Sequence, residues 1–152
     1  MNIILFEPEI PVNTGNIGRT CVATGTKLHL IRPLGFFIDD KSLKRAGMDY
    51  WKSLDVTVYD NFNDFLTKNN NPKIFMVETK TEKLYTEVKY KSNDFIMFGK
   101  ETTGIPDEIL EKYKDTVVRI PMLLGTRSLN LSNAAAIVLF EALRQNGFDG
   151  LG

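Results

Sequence analysis

The sequence predicts an α/β fold, a mainly parallel β-sheet with helices on both faces. Short β-rich runs alternate with helical stretches along the chain, the order that crossover helices impose on parallel strands. The runs Ile74-Phe75-Met76-Val77 and Phe95-Ile96-Met97-Phe98 are apolar without alternation, as expected of central strands buried on both sides. Residues 132–145 repeat apolar side chains at helical spacing, with Leu131, Ala135, Val138, Leu139 and Ala142 on one face.

The elements follow in order. Residues 3–6 form the first strand. The turn Glu7-Pro8-Glu9-Ile10-Pro11 leads into a helix that starts at Asn13 or Thr14, runs to Ala23 and ends at Gly25. Residues 28–31 make the second strand. Asp39 or Asp40 caps a short helix through Arg45, stopped at Gly47. A third strand at 56–59 and a helix at 61–69 precede the two apolar strands. Pro106 opens a helix through about Tyr113, since its missing N–H costs nothing in a first turn. Residues 117–120 form the last strand, and the 132–145 helix stops at Asn146-Gly147.

With 152 residues the chain reads as a single domain, long enough to bury roughly two-thirds of its unfolded surface. Hydrophobic content of 43% and charged content of 25% exclude the disordered and fibrous classes. The start Met1-Asn2-Ile3-Ile4-Leu5-Phe6-Glu7-Pro8 lacks the basic region and apolar length of a signal peptide. No apolar run nears the ~20 residues of a membrane span. A soluble, cytoplasmic protein is expected. Cys21 and His29, one of each, exclude an internal disulfide and a structural zinc site, and no metal is expected. Cys21 reads as a buried apolar residue, and His29 as packed or solvated within a strand. Zero net charge argues against a protein that coats nucleic acid through bulk charge, while leaving room for a local basic patch.

Three segments break the pattern of core and surface, each where a strand gives way to a loop or helix. Asn13-Thr14-Gly15-Asn16-Ile17-Gly18-Arg19-Thr20 reads as a helix start able to turn bare amides toward an anion, or as an ordinary capped helix. Phe98-Gly99-Lys100-Glu101-Thr102-Thr103-Gly104-Ile105-Pro106 runs from a central strand into a glycine that lets a ligand approach the backbone. Ile120-Pro121-Met122 followed by Thr126-Arg127-Ser128-Leu129-Asn130-Leu131-Ser132-Asn133 carries more Ser and Asn than capping one helix requires.

In this order the three segments resemble the motifs of the SPOUT class of RNA methyltransferases: N-x-G-N-I-G-R, then F-G-x-E-x-x-G-I-P, then I-P-M with S-L-N-L-S-N-A. The likeness spans essentially the whole chain. The opening Glu7-Pro8-Glu9-Ile10-Pro11 and the stretch Arg45-Ala46-Gly47-x-Asp49-Tyr50 are similar to the minimal, single-domain members that methylate the ribose of the tRNA-Leu wobble nucleotide, position 34, C or modified U. The resemblance implies a deep C-terminal trefoil knot, a feature no sequence pattern would propose unaided. It also implies a homodimer and S-adenosylmethionine as methyl donor.

On this chain the resemblance assigns the cofactor to loops at Val77, Glu78, Thr79, Gly99, Ile120, Met122 and Ser128. Gly99 and Ile120 suit the apolar faces and amide-like edges of adenine. The motif-one arginine, Arg19, takes the catalytic role. Its pKa above ~12 makes it first a positioner of phosphate and hydroxyl, and a base only with help from a neighbouring anion. Asn13, Asn16 and Glu101 would order the loops, Ser128, Asn130 and Asn133 would brace the knot and the substrate ribose, and Arg127 would meet the substrate. Lys41, Lys44, Arg45, Lys100 and Arg127 are candidate RNA contacts, with Lys80 a further one and Lys83, Lys89 and Lys91 better read as solvated. Tyr50 and Trp51 either stack on a splayed base or pack in the core. Two other readings stay open: a ribose methylase acting on another tRNA or rRNA nucleotide, and a nucleotide- or RNA-binding module without catalysis.

Overall fold

The computed structural model describes residues 1–45 and 49–152. Among them six strands form one sheet: β1 (Asn2–Phe6), β2 (Lys27–Ile31), β3 (Val56–Tyr59), β4 (Ile74–Val77), β5 (Phe95–Phe98) and β6 (Val117–Val118). Their spatial order is β3-β2-β1-β5-β4-β6, and every pairing is parallel. The helices are α1 (Pro11–Thr24), α2 (Asp40–Arg45), α3 (Phe62–Lys68), α4 (Asp107–Lys112) and α5 (Leu131–Gln145). Short 3₁₀ turns at Asp49–Ser53 and Lys114–Thr116 were not legible in the sequence.

The pleat sends alternate side chains to opposite faces, so the two-sided apolar strands build two cores. Ile3, Leu5, Leu28, Leu30, Ile96 and Phe98 meet α1 and α5 through Ile17, Cys21, Val138 and Leu139. Ile4, Ile31, Ile74, Met76 and Met97 meet α3 and α4 through Phe65 and Leu110 on the other face. Helices therefore cover both faces, as expected.

Cys21 is fully buried, and burial pushes its thiol up to about 12, so it behaves as a small apolar residue. His29 is packed: Nδ1 lies 2.9 Å from the Tyr59 hydroxyl and Nε2 3.2 Å from Asn2 Oδ1. Trp51 is buried, and with Leu54 it fills the space that Gly18 leaves on α1. Between stacking on RNA and packing in the core, Trp51 packs.

Two boundaries differ from expectation in ways that bear on the site. α1 begins at Pro11, two residues early, because proline's fixed φ suits a first turn. The segment from Asn13 to Thr20 is thus helix interior, its amides are spent within the helix, and the bare-amide anion cradle does not form there. β6 ends at Val118. Beyond it Arg119 pairs with the connection between β4 and β5, donating from its amide to Lys83 O (2.9 Å) and accepting from Tyr85 N (2.9 Å). α2 starts as expected, with Asp39 Oδ1 accepting from Ser42 N at 2.7 Å. Its stop at Gly47 lies outside the described residues, as does the Lys44 side chain.

Candidate active site

The carboxyl ends of β4 and β5 open into a cavity of about 510 Å³, a size ordinary for a small-molecule site. Its wall joins three stretches of chain: Val77 to Lys80 after β4, Phe98 to Gly104 after β5, and the residues from Ile120 to Ala134 that lead into α5. Ile10 and Asn13 close one side.

Gly99 is where the wall needs a residue without Cβ. A methyl there would run into the backbone of Gly104 and Ile105, so the loop after β5 folds directly onto its own start. Gly104 has φ of +69° and faces the Glu78 carboxylate. That carboxylate accepts from Ile105 N at 2.7 Å and from Thr79 N at 3.2 Å. Glu78 therefore spends its side chain on holding the loop at the cavity wall.

A second carboxylate joins the three motif segments. Glu101 accepts from Glu9 N (2.8 Å), Ile10 N (3.1 Å) and Asn13 Nδ2 (3.2 Å). Asn13 in turn accepts from Asn130 Nδ2 at 3.0 Å. Asn130 Oδ1 caps α5, accepting from Ser132 N (2.9 Å) and Asn133 N (3.3 Å). Glu9 returns the connection by accepting from Thr102 N at 3.0 Å. Among the polar residues noted before α5, Asn130 thus caps the helix and also ties it to α1.

All seven residues expected to hold the cofactor line this cavity, together with Asn13, Glu101 and Asn130. Arg19, Asn16, Arg127 and Asn133 do not; all four are exposed. The Arg19 guanidinium lies 5.2 Å from the centroid of the Tyr50 ring, within cation–π range. The Tyr50 hydroxyl donates to Gly15 O. Burial raises the Tyr50 pKa against the opposing pull of Arg19. Lys100 lines the wall but donates to Glu7 Oε2 at 2.6 Å, and that bond raises its pKa. Its charge is matched within the protein, which removes it from the free cations expected to meet RNA.

Leu131, Ala134, Thr102 and Thr103 also line the cavity without having been expected there. The Thr residues occupy the variable positions of F-G-x-E-x-x-G-I-P. Leu131 and Ala134 sit in the first turn of α5, where helical periodicity marks apolar residues as core. Among the described residues no group of three or more His, Cys, Asp or Glu side chains could hold a metal ion.

A parallel sheet with a cavity at the carboxyl ends of its strands has the ligand-binding crevice of the open α/β proteins. Comparison with known proteins narrows the class. The model of the SpoU rRNA Methylase family matches residues 1–140. A tRNA (cytidine(34)-2′-O)-methyltransferase of Saccharophagus degradans is 51% identical over 98% of this chain and 97% of its own. A solved structure concerned with the 2-OH methylation of C/U34 on tRNA superposes with a TM-score of 0.89 at 39% identity, covering 96% of this chain and 95% of that one. The AdoMet-bound rRNA methyltransferase from Sinorhizobium meliloti superposes with a TM-score of 0.80 at 28% identity, covering 94% of this chain and 55% of that one. The chain belongs to the SpoU methylase family.

Proposed function

We propose that this protein transfers the methyl group of S-adenosylmethionine to the ribose 2′-hydroxyl of the wobble nucleotide of tRNA, position 34, C or modified U, with tRNA-Leu as substrate. The observation that carries the reading is the single cavity wall assembled from all three motif segments, with every expected cofactor residue on it. The fit to the cofactor is chemical. Gly99 lets the loop after β5 close tightly along the cavity, Ile120 and Leu131 offer apolar surface, and Thr79 and Ser128 offer hydroxyls. When bound, S-adenosylmethionine supplies a methyl group already activated by its sulfonium.

What remains for this chain is alignment and disposal of one proton. The Glu101–Asn13–Asn130 network holds the cavity wall rigid. Arg19 lies outside the wall, exposed and against the Tyr50 ring, which supports a role in meeting substrate. In this reading its guanidinium binds substrate phosphate and steadies the attacking hydroxyl, while Asn16, Arg127 and Asn133 contact the substrate rim. Bound in the cavity, the cofactor would supply the methyl group, and Arg19 would hold the substrate phosphate whose oxygen takes the proton of the 2′-hydroxyl.

The protein works as a homodimer in the cytoplasm, as one SPOUT domain over residues 1–152. Exposed apolar side chains on α1 and α5, Val12, Ile137 and Phe140, support the dimer. No described helix is long and apolar enough to cross a membrane. The pairing of Arg119 with residues 83–85, and the bonds from Gln145 and Asn146 to Val88 and Tyr90, support a knotted C-terminal segment held by that connection.

The test is transfer of labelled methyl from S-adenosylmethionine to tRNA. The reading requires that the label appear as a 2′-O-methylated nucleoside in tRNA-Leu. A product methylated on a base, or on rRNA alone, would replace it.

A further inference from the structure

We propose that Phe37 is a stacking platform for an unstacked anticodon-loop base at or beside the nucleotide being methylated, a proposal that rests on the tRNA reading above. The loop after β2 sorts its apolar residues sharply. Leu34 and Ile38 pack against the core, whereas the Phe37 ring between them is 82% exposed. The two inward neighbours hold the loop and leave Phe37 pointing to solvent.

The loop is fastened to the cavity wall. Gly35 N donates to Pro8 O at 2.9 Å, and a Cβ at Gly35 would collide with the backbone of Glu9. Glu9 is bonded to Glu101 and Thr102, both of which line the cavity. Phe37 follows Gly35 by two residues, a reach of no more than about 7 Å of chain. The loop that carries Phe37 is thus fastened, through Pro8 and Glu9, to two residues of the cavity wall. On the other side Asp39 starts α2 by accepting from Ser42 N, and Lys41 and Arg45 are exposed on that helix. An aromatic face flanked by cations is the arrangement that single-stranded RNA uses, one part for a base and the other for the backbone.

The chemistry calls for such a surface. A ribose can enter the cavity only if its nucleotide leaves the stack, and a base that loses its neighbour gains from a new flat partner. Stacking on a ring tolerates either C or a modified U, because every base has a π-face.

The experiment uses the full chain and tRNA-Leu transcript in steady-state methylation. It is paired with an anticodon stem–loop carrying fluorescent pyrrolocytidine at the wobble position. Phe37→Ala is expected to raise KM for tRNA at least about fivefold and to remove most of the fluorescence quenching on binding. Its kcat and its calorimetric affinity for S-adenosylmethionine stay at wild-type values. Phe37→Trp restores KM and quenching, and Phe37→Leu, apolar but not planar, restores neither. Wild-type quenching by Phe37→Ala overturns the proposal, as does full rescue by leucine. A change of oligomeric state on sedimentation would also overturn it, assigning the ring to a protein contact. Wild-type protein that binds the stem–loop yet transfers no methyl defeats the tRNA-methylation reading instead, and the quenching comparison still decides the role of Phe37.

Discussion

Two polar clusters lie inside this molecule, and they serve opposite ends. Glu101, Asn13 and Asn130 join three distant segments at the cavity wall, partly open to solvent. His29, Tyr59, Asn69 and Asn2 form the other, closed in by the rings of Phe65 and Phe95. Both satisfy their hydrogen bonds, as buried polar groups must. The first sits where the strands end and fixes the shape of a site. The second sits within the sheet and stabilises its edge. A buried polar network is thus not by itself a sign of function; what it borders decides.

The largest effects are expected at the cavity. Arg19→Ala should lower kcat for methyl transfer by about a hundredfold or more, the size of a lost acid–base or charge-stabilising group. Calorimetric affinity for S-adenosylmethionine should not move, because Arg19 is outside the wall. A matching fall in cofactor affinity would place Arg19 in the cofactor site. Next comes Gly99→Ala, whose methyl must displace the Gly104–Ile105 backbone. A shift of about 1 Å there is expected to weaken cofactor binding by tens of fold, read by the same calorimetry on a variant whose circular dichroism is native.

The sealed cluster gives a pH effect. Burial lowers the His29 pKa from 6.5 to about 4, so the fold favours the neutral ring. Above pH 6.5 both folded and unfolded chains hold it neutral and it adds no pH dependence. As pH falls from 6.5 toward 4 the unfolded chain takes up the proton first, and stability drops by about 3 kcal/mol in total. Urea titrations across that window should show the slope, and His29→Gln should flatten it while leaving methyl transfer at pH 7.5 intact. The smallest effect is Asn130→Ala, which removes a helix cap and costs about 1 kcal/mol by urea unfolding. Because Asn130 also holds Asn13, this variant should lose activity out of proportion to its stability, whereas His29→Gln should not.

Much of this was readable in the residues. The apolar runs of β4 and β5 marked the buried centre of the sheet because a strand covered on both faces has no polar side to show. The cavity loops were readable because Gly99 and Gly104 stand where ordinary side chains would collide. The start of α1 was misjudged since Asn13 and Thr14 look like caps, while Pro11 sets the first turn. Lys100 looked like a free cation because its partner, Glu7, is distant in sequence. The connection between β4 and β5 gave no periodic signal. Its order comes from Arg119, Gln145 and Asn146, all supplied by chain that follows much later. Phe37 was not distinguished either, since the sequence Phe36-Phe37-Ile38 does not say which ring faces out.

The measurement that bears most directly on the central claim is nucleoside mapping of tRNA-Leu after labelled methyl transfer by the purified protein. One labelled product is expected, a 2′-O-methylated nucleoside at position 34, and Arg19→Ala should abolish it. Label on a base, at another position, or undiminished in the Arg19 variant would contradict it.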